Sequence, residues 1–398
     1  MSISAPWVVL LHVHHMMGIG HLRRAVMLGV AMAKLGMRVH IASGGMPVPG
    51  LRLGELGPGA LCVHQLPPAR AADLSYKSLV DEDGNPVDDE WHARRRAALS
   101  ALVEAVVPHA LITETYPFGR RRLCGEYEHL IKKVRQVRPG ALVASSVRDI
   151  LDGFPGPPGR VETVLATVEL HYQTVFVHGD PAVVPLDESF PVDEALARKL
   201  VYTGYVSSRP VSVGAENDGL GEVLVSTGGG VVGQGLVRAA AAARALSAVL
   251  GERTWRILVG HNLPEADFQA LRMASPPGVI VQRNRTDFYT LLRNCAVSIS
   301  QVGYNTSVDI LQAGARAVVV PFASDTQLEQ QRRAQLLHAR ALAVAIAPHE
   351  LSPARLAAAV DEAALALSPA DRSGLADIGL AGAERTARLL AGLLCERG

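Results

Sequence analysis

Short apolar runs that lead into a glycine turn and then into a helix-length segment occur in both halves of the chain. In the first half, the run at 7–13 precedes Gly18 and Gly20 and a helical spacing of apolar residues at 21–35. In the second half, a similar run precedes STGGGVVGQG (226–235) and an alanine-rich segment. Uninterrupted runs of this length are typical of strands buried on both faces of a parallel sheet. The pattern therefore predicts an α/β fold built from repeated β-loop-α units.

The same strand and helix spacing continues along both halves, and a Gly/Ser/Pro connector at 201–210 separates them. The 398 residues suffice for two domains of ordinary size. We predict two doubly wound, Rossmann-like domains at 1–204 and 205–372, facing across a cleft that is the default ligand site. Further strands are predicted at 39–42, 110–113, 142–145, 174–177, 256–259, 279–282, 297–300 and 317–321, with helices at 92–106 and 236–250.

Composition excludes several classes of protein. The formal net charge is +1 with histidine neutral, so no strong field of one sign points to nucleic acid or to an anionic membrane. The four cysteines are scattered without metal-ligand or disulfide spacing, which fits a reducing cytosol. The apolar run at 7–13 is too short for a signal peptide core or a membrane span. We expect a cytoplasmic protein with no nucleic-acid partner and no transmembrane segment; peripheral membrane contact and oligomeric state stay open.

The triple glycine at Gly228, Gly229 and Gly230 follows a predicted strand and opens a helix. Such a turn offers backbone N–H groups and the positive end of the helix dipole to an anion. No Gly-Lys-Ser/Thr follows, and the spacing is not GxGxxG, so neither a Walker loop nor a nicotinamide site is indicated. The turn predicts phosphate contact, and a tight turn without ligand is the alternative.

A second informative stretch follows the strand at 297–300. Asn305 or Thr306 is placed to cap the next helix, with Asp309 one turn inside it. A carboxylate there can accept hydrogen bonds from the two vicinal hydroxyls of a ribose; the alternative is a solvated acid favoured by the helix dipole. A further helix is predicted to start near Glu329 and Gln330.

The order of these motifs resembles the donor domain of inverting GT-B glycosyltransferases over much of residues 200–345: glycine loop, GxxTxxD helix, apolar strand, Pro-Phe, then a helix starting Glu-Gln. The family of bacterial lipid I N-acetylglucosaminyltransferases is similar. The stretches GIGHLRRA, LITETYPFGRRRL, SVRDIL and VHGDP resemble an uncharacterised bacterial branch of the superfamily, and GxGHxxR also resembles a related sugar-nucleotide hydrolase. The resemblance implies the GT-B fold, with 1–204 binding the acceptor, 205–372 the donor, and 373–398 returning as a helix to the first domain.

The resemblance also implies a donor-binding set in the C-terminal domain. Its members are Gly228, Gly229 and Gly230 at the phosphates, Arg209 and Thr306 at the diphosphate, Asp309 at the ribose, Glu329 and Gln330 at the donor sugar, and Arg285 in the loop that contacts the base. Two positions depart from the family pattern. Asp309 stands where the family has Glu, and Glu329 stands where it has Gln.

The N-terminal domain carries two candidates for the base that an inverting transfer requires. His21 starts the first helix, and Gly18 and Gly20 let an acceptor or a diphosphate approach the backbone there, with Arg24 on the same segment. Glu114 ends the strand LITE, at the strand end where α/β ligands bind. Either residue fits the role of base. His21 as a phosphate-orienting or capping residue, and Glu114 as an ion-pair partner of an arginine at 120–121, are the alternatives.

No metal site is expected. Two histidines at 12 and 14 share one strand face, and His15 starts the loop, but zinc requires three or four convergent ligands. The acidic triplet at 81–83 lies in a Gly/Pro loop and fits a solvated turn. The arginines at 94–96 fit either contact with a phosphorylated or lipid-linked acceptor or a solvated helix face.

These features predict an inverting, metal-independent transfer of a sugar from a nucleotide-diphosphate donor to a hydroxyl or amine. The resemblance favours a UDP-sugar as co-substrate, a small-molecule or lipid-linked acceptor, and no further cofactor. Two alternatives remain at this stage. One is a sugar-nucleotide hydrolase or epimerase of the same fold, and the other is a non-catalytic protein that binds nucleotide sugars.

Overall fold

The computed structural model describes residues 7–16, 18–51, 56–57, 59–73, 78–207, 215–227, 234–261, 263–322, 328–366 and 378–397. The chain divides into two compact units. The N-terminal unit comprises Met1–Pro181, Pro185–Ser207 and Ala381–Gly398, and the C-terminal unit comprises Ala182–Val184 and Ser208–Leu380. Each unit is an α/β domain with a parallel sheet, which confirms the predicted fold class.

The N-terminal unit contains a seven-stranded parallel sheet with helices in the connections. The strands of this unit, including two outside that sheet, are β1 Val8–Val13, β2 Arg38–Ser43, β3 Leu61–Gln65, β4 Arg70–Ala71, β5 Leu79–Val80, β6 Ala110–Glu114, β7 Leu142–Arg148, β8 Thr174–His178 and β9 Leu200–Tyr202. Its helices up to this point are α1 Gly20–Lys34, α2 Asp89–Val106, α3 Cys124–Val137, α4 Arg160–His171 and α5 Glu194–Ala197. The sheet order is β3-β2-β1-β6-β7-β8-β9, and β4 pairs with β5 in a separate antiparallel ribbon.

The C-terminal unit contains a six-stranded parallel sheet in the order β12-β11-β10-β13-β14-β15. The strands are β10 Val223–Ser226, β11 Trp255–Val259, β12 Val279–Arg283, β13 Val297–Ser300, β14 Ala317–Val319 and β15 Val344–Ala345. The helices are α6 Gln234–Ala243, α7 Glu265–Met273, α8 Phe288–Asn294, α9 Tyr304–Ala313, α10 Glu329–Ala339 and α11 Pro353–Ala366. The predicted strands are confirmed in both units, with ends that differ by at most three residues.

Two predicted helices differ from the structure. The helix predicted at 236–250 ends at Ala243, because Asp361 on α11 accepts hydrogen bonds from the backbone of Ala248 and Val249, at 2.8 and 3.1 Å, and holds them in a turn. The predicted cap at Asn305 or Thr306 is wrong: α9 begins at Tyr304, and Gly303 precedes it in extended conformation. Both polar residues therefore lie inside the first turn.

The last helix, α12 Gly382–Cys395, packs on α1 within the N-terminal unit. Its buried face contributes Ala387, Leu390 and Leu394 to the core beneath α1. The helix starts against the chain at 204–205: the Gly382 N–H donates to the Tyr205 carbonyl at 3.0 Å. A Cβ at Gly382 would lie 2.7 Å from the Tyr205 carbonyl carbon, so this approach requires glycine. Residues 373–377 of the predicted C-terminal segment lie outside the described residues.

No helix among the described residues is long and apolar enough to cross a membrane.

Candidate active site

The carboxyl edge of the N-terminal sheet collects the polar residues of this unit. From β1 the next strands are added on one side of the sheet, and from β6 they are added on the other side, so the strand order reverses between these two parallel neighbours. Ligands of open α/β sheets bind at such a reversal point, outside the carboxyl ends of the strands. His21 lies in the first turn of α1, after β1, and Glu114 is the last residue of β6.

The structure brings the two rival bases together. His21 Nδ1 lies 2.8 Å from Glu114 Oε1, although 93 residues separate the two in the chain. They therefore form a hydrogen-bonded histidine–carboxylate pair. Glu114 contacts Arg24, rather than forming the pair with Arg120 or Arg121 that the sequence left as an alternative.

Glu114 is held as a carboxylate. Its side chain is 1% exposed, and burial alone would raise its pKa. The Arg24 guanidinium beside Oε1 and the donors His21 and Ser146 instead hold the pKa of Glu114 well below its usual range. Ser146 Oγ donates to Oε2 at 2.6 Å, so both carboxylate oxygens are engaged.

His21 is held as a neutral imidazole of one tautomer. Burial lowers its pKa well below the ordinary value, and the cations Arg148 and Arg120 lower it further, against the opposing effect of Glu114. Because ionised Glu114 can only accept hydrogen bonds, Nδ1 carries the proton that joins the pair. Nε2 is therefore the nitrogen with a lone pair. The side chain keeps 18% of its surface exposed, which leaves the ring reachable from solvent.

Arg24 differs from the role that the sequence predicted. It was expected beside an acceptor or a phosphate with Gly18 and Gly20, but its side chain is 2% exposed and its guanidinium contacts Glu114. Arg24 follows His21 by three residues, so both side chains leave the same face of α1. Gly18 is exposed and Gly20 is the first residue of α1, where helix N–H groups lack intrahelical partners.

Sequence reasoning missed three polar residues behind Glu114. Ser146 lies on β7, His178 ends β8, and Thr203 follows β9; each is at most 1% exposed. His178 Nε2 lies 2.9 Å from Ser146 Oγ, and its Nδ1 lies 2.8 Å from Thr203 Oγ1. Ser146 and His178 come one residue after the predicted ends of their strands. A polar residue at the carboxyl end of a predicted strand is the sequence signal by which both could have been identified.

A second buried network joins α2, α3 and β1. Arg95 is 0% exposed and binds Glu126 through two nitrogens, at 2.5 and 2.7 Å, while His12 Nε2 lies 3.0 Å from the same carboxylate. Arg95 also donates to the carbonyls of Gly44 and Pro67. Both readings of the arginines at 94–96 are therefore wrong for Arg95, which is neither solvated nor available to an acceptor.

No three His, Cys, Asp or Glu side chains in the described part of the chain are grouped so as to hold a metal ion.

In the C-terminal unit, Asp309 lies on α9 one turn after Thr306, at the carboxyl edge next to the β10–β13 reversal point. It is half-buried, and this burial raises its pKa to about 6. The alternative of a solvated acid therefore does not describe this carboxyl. Thr306 lies in the first turn of α9 and Asp309 near the middle of this helix, which follows β13.

A depression of about 450 Å³ lies where β11 and β12 end, and its lining residues are His261, Asn284, Arg285, Thr286 and Asp287. The Arg285 guanidinium is bound to carboxylates: Nε donates to Asp287 at 2.8 Å and Nη2 to Asp218 at 2.6 Å. These contacts fix the loop that is predicted, from the family resemblance, to contact the nucleobase of the donor. They leave the Arg285 side chain committed to Asp218 and Asp287.

The start of α10 carries the two residues assigned to the donor sugar. Glu329 pairs with Arg333 at 2.7 Å, one turn along the same helix. Gln330 accepts a hydrogen bond from the Phe322 N–H at 3.0 Å, so its amide holds the chain that follows β14. The remaining donor residues, Arg209, Gly228, Gly229 and Gly230, lie outside the described residues.

Residues 227–373 match the Glycosyltransferase family 28 C-terminal domain. The crystal structure of the glycotransferase of kitacinnamycin superposes with a TM-score of 0.63, covering 98% of this chain and 100% of that chain at 17% identity. MurG of Acinetobacter baumannii superposes with a TM-score of 0.59, covering 97% of this chain and 100% of that chain at 14% identity.

Phytolacca americana UGT2, complexed with UDP-2-fluoro-glucose and pterostilbene, superposes with a TM-score of 0.63 over 100% of both chains at 15% identity. At sequence identities this low, the structural similarity shows a shared fold alone. No curated protein sequence matches the chain. Residues 227–373 therefore carry a glycosyltransferase family 28 C-terminal domain, and the chain as a whole shares the GT-B fold of these glycosyltransferases.

Proposed function

We propose that the protein transfers a sugar from a UDP-sugar to a hydroxyl or amine of its acceptor with inversion at the anomeric carbon. The observation that carries the proposal is the His21–Glu114 pair at the carboxyl edge of the N-terminal sheet. A neutral imidazole oriented by a buried carboxylate is the arrangement that activates a weak nucleophile. The family 28 match over residues 227–373 supports the proposal that the donor binds the C-terminal unit.

In the proposed reaction, His21 Nε2 takes the proton from the acceptor hydroxyl as its oxygen attacks C1 of the sugar. The new C1–O bond forms on the face opposite the nucleotide, and the bond from C1 to the phosphate oxygen breaks. One such displacement inverts the anomeric centre. Glu114 keeps the Nδ1 proton in place and stabilises the imidazolium that forms, since its own pKa is too low for it to become protonated.

The leaving nucleoside diphosphate carries the negative charge of this reaction. We assign its stabilisation to backbone N–H groups and helix dipoles of the C-terminal unit, at Gly228–Gly230 and at the start of α9 beside Thr306. Asp309 is proposed to bind the ribose hydroxyls. No resident metal or cofactor takes part in this proposal.

The UGT2 structure contains UDP-2-fluoro-glucose, and the crystal structure of the glycosyltransferase VinC, with a TM-score of 0.61 and 15% identity, is a complex with dTDP. These complexes support a nucleotide-diphosphate donor. UDP and dTDP are therefore the two donor nucleotides to compare. The acceptor is proposed to bind the N-terminal unit, near His21.

Thermal unfolding with UDP, dTDP, GDP, UDP-glucose and UDP-N-acetylglucosamine tests the donor. A ligand at about 100 times its Kd stabilises the folded state by about 2.7 kcal/mol, so UDP compounds should raise Tm the most. The best donor is then incubated with a panel of phenols, sugars and lipid-linked hydroxyls, and diphosphate release is measured with and without acceptor.

Release that requires an acceptor, with a glycoside of inverted configuration seen by NMR, is the expected result. Equal release without acceptor indicates a sugar-nucleotide hydrolase. An epimer of the donor indicates an epimerase. Binding with no release in any mixture indicates a nucleotide-sugar sensor, and no stabilisation by any nucleotide contradicts the donor assignment itself.

A further inference from the structure

The far oxygen of Glu114 is connected to a buried chain of three side chains that the proposed reaction does not use. Ser146 Oγ lies 2.6 Å from Glu114 Oε2 and 2.9 Å from His178 Nε2. His178 Nδ1 in turn lies 2.8 Å from Thr203 Oγ1. All four side chains are essentially excluded from solvent. A buried chain of polar side chains is costly unless each donor and acceptor in it is hydrogen-bonded.

The direction of each hydrogen bond follows from the charge of Glu114. The carboxylate only accepts, so the Ser146 hydroxyl must donate its single proton to Oε2. The Ser146 oxygen is then an acceptor, and the contact with His178 requires a proton on Nε2. Because burial lowers the pKa of His178 to about 3, its imidazole is neutral and Nδ1 accepts from Thr203. All three donors therefore point toward Glu114.

The sheet holds this chain in place. Glu114 ends β6, Ser146 is its register partner on β7, and His178 ends β8, the next strand. Three neighbouring strands thus present the three side chains in sequence along one edge. Groups on adjacent strands of a sheet are fixed more narrowly than groups on loops, which is what the orientation of a catalytic pair requires.

We propose that His178 is a positioning residue for sugar transfer, acting through Ser146 to fix the Glu114 carboxylate so that Oε1 faces His21 Nδ1. The inference rests on the proposed function, in which His21 is the base. Without the His178 N–H, the Ser146 hydroxyl is free to rotate about its Cα–Cβ bond and to leave Oε2. The carboxylate then loses the contact that fixes its plane, and the imidazole loses its orientation.

A matched pair of substitutions separates this role from simple core packing. In His178→Gln, the side-chain NH2 reaches the place of Nε2 and restores the donor to Ser146. In His178→Asn, the shorter amide reaches only the place of Nδ1, so Thr203 keeps its partner and Ser146 loses its donor. Both variants replace the imidazole by a smaller neutral amide.

The first measurement uses the protein without ligand. Histidine side chains labelled with nitrogen-15 are titrated by NMR, and the His21 signals are identified by their loss in His21→Ala. His178→Asn and Ser146→Ala should move the His21 titration to higher pH, because Glu114 loses a donor that spreads its charge. His178→Gln should leave the His21 titration and its Nδ1–H tautomer as in the wild type.

The second measurement is kcat and KM with the donor and acceptor found in the transfer assay. His178→Asn should lower kcat by about tenfold or more with KM unchanged, and His178→Gln should restore kcat. Equal losses in both variants, or an unmoved His21 titration in His178→Asn, would overturn the proposal. A wild-type level of transfer in His21→Ala would instead overturn the proposed function, so the two failures are distinguishable.

Discussion

Lowering the pH should weaken the N-terminal unit through the buried imidazole of His178. Burial, with the nearby Arg24 cation, lowers the pKa of His178 to about 3 in the folded protein. In the unfolded chain the same imidazole titrates near its ordinary value of about 6.5. At mildly acidic pH the unfolded state therefore binds a proton that the folded state does not, and the free energy of unfolding falls as the pH falls.

The size of this effect follows from the two pKa values. Between about pH 7.5 and about pH 5, protonation of the unfolded imidazole removes ~2 kcal/mol from the free energy of unfolding. The stabilisation is fully present above the unfolded pKa, and it continues to decrease until the folded pKa of about 3 is reached. A loss of this size is a large part of the ~5–15 kcal/mol that stabilises an ordinary domain.

Urea unfolding of the wild type, His178→Gln and His178→Asn at these two pH values measures the effect. Trp7 and Trp91 lie in the N-terminal unit and report its transition by fluorescence, while Trp255 reports the C-terminal unit. Neither amide titrates, so both variants should lose ~2 kcal/mol less than the wild type on acidification. If all three proteins lose the same free energy, His178 is not buried as a neutral imidazole and the reasoning fails.

Three further predictions concern other parts of the molecule. Arg24→Met should leave the Glu114 carboxylate buried without its cation and lower the free energy of unfolding by about 3–5 kcal/mol, seen as a fall in Tm by calorimetry; an unchanged Tm would contradict the ion pair. Because burial raises the pKa of Asp309 to about 6, UDP affinity measured by calorimetry should rise with pH through that value, and Asp309→Asn should remove this part of the pH dependence. Gly44→Ala should lower Tm, corresponding to about 1–3 kcal/mol, because its Cβ would overlap the buried Arg95 guanidinium; an equally stable variant would show that the network has room.

The strands were the most predictable part of this chain. Runs such as the one at 7–13 are largely apolar because both faces of the parallel sheet are covered. Such a strand is therefore recognised from its local sequence. Helix ends were less predictable because they depend on distant groups. Asp361 lies more than a hundred residues after Ala248, and no local pattern announces the hydrogen bond between them.

The residues of the candidate site were predicted, but their partnership was not. His21 and Glu114 each carried a local signal, one at a helix start and one at a strand end. Their pairing depends on β6 lying next to β1, and strand order is set by the packing of the whole sheet. The sequence therefore presented as alternatives two residues that work together in the proposed reaction.

Arg95 shows a signal that was present and not used. The buried residues of α2 are Trp91, Arg95, Leu99 and Val103, a stripe with a spacing of four. An arginine inside such a stripe is expected to face the core with the apolar residues and to need a partner there. Glu126, on the helix that packs against α2, is that partner.

In the proposed reaction, His21 is the base of sugar transfer and Glu114 orients it. The most direct test is to measure kcat and the Kd for UDP in the wild type and in His21→Ala. We expect His21→Ala to lower kcat by roughly 10²- to 10⁴-fold and to leave the Kd for UDP unchanged. A His21→Ala protein that transfers sugar within a factor of about three of the wild-type rate would contradict it.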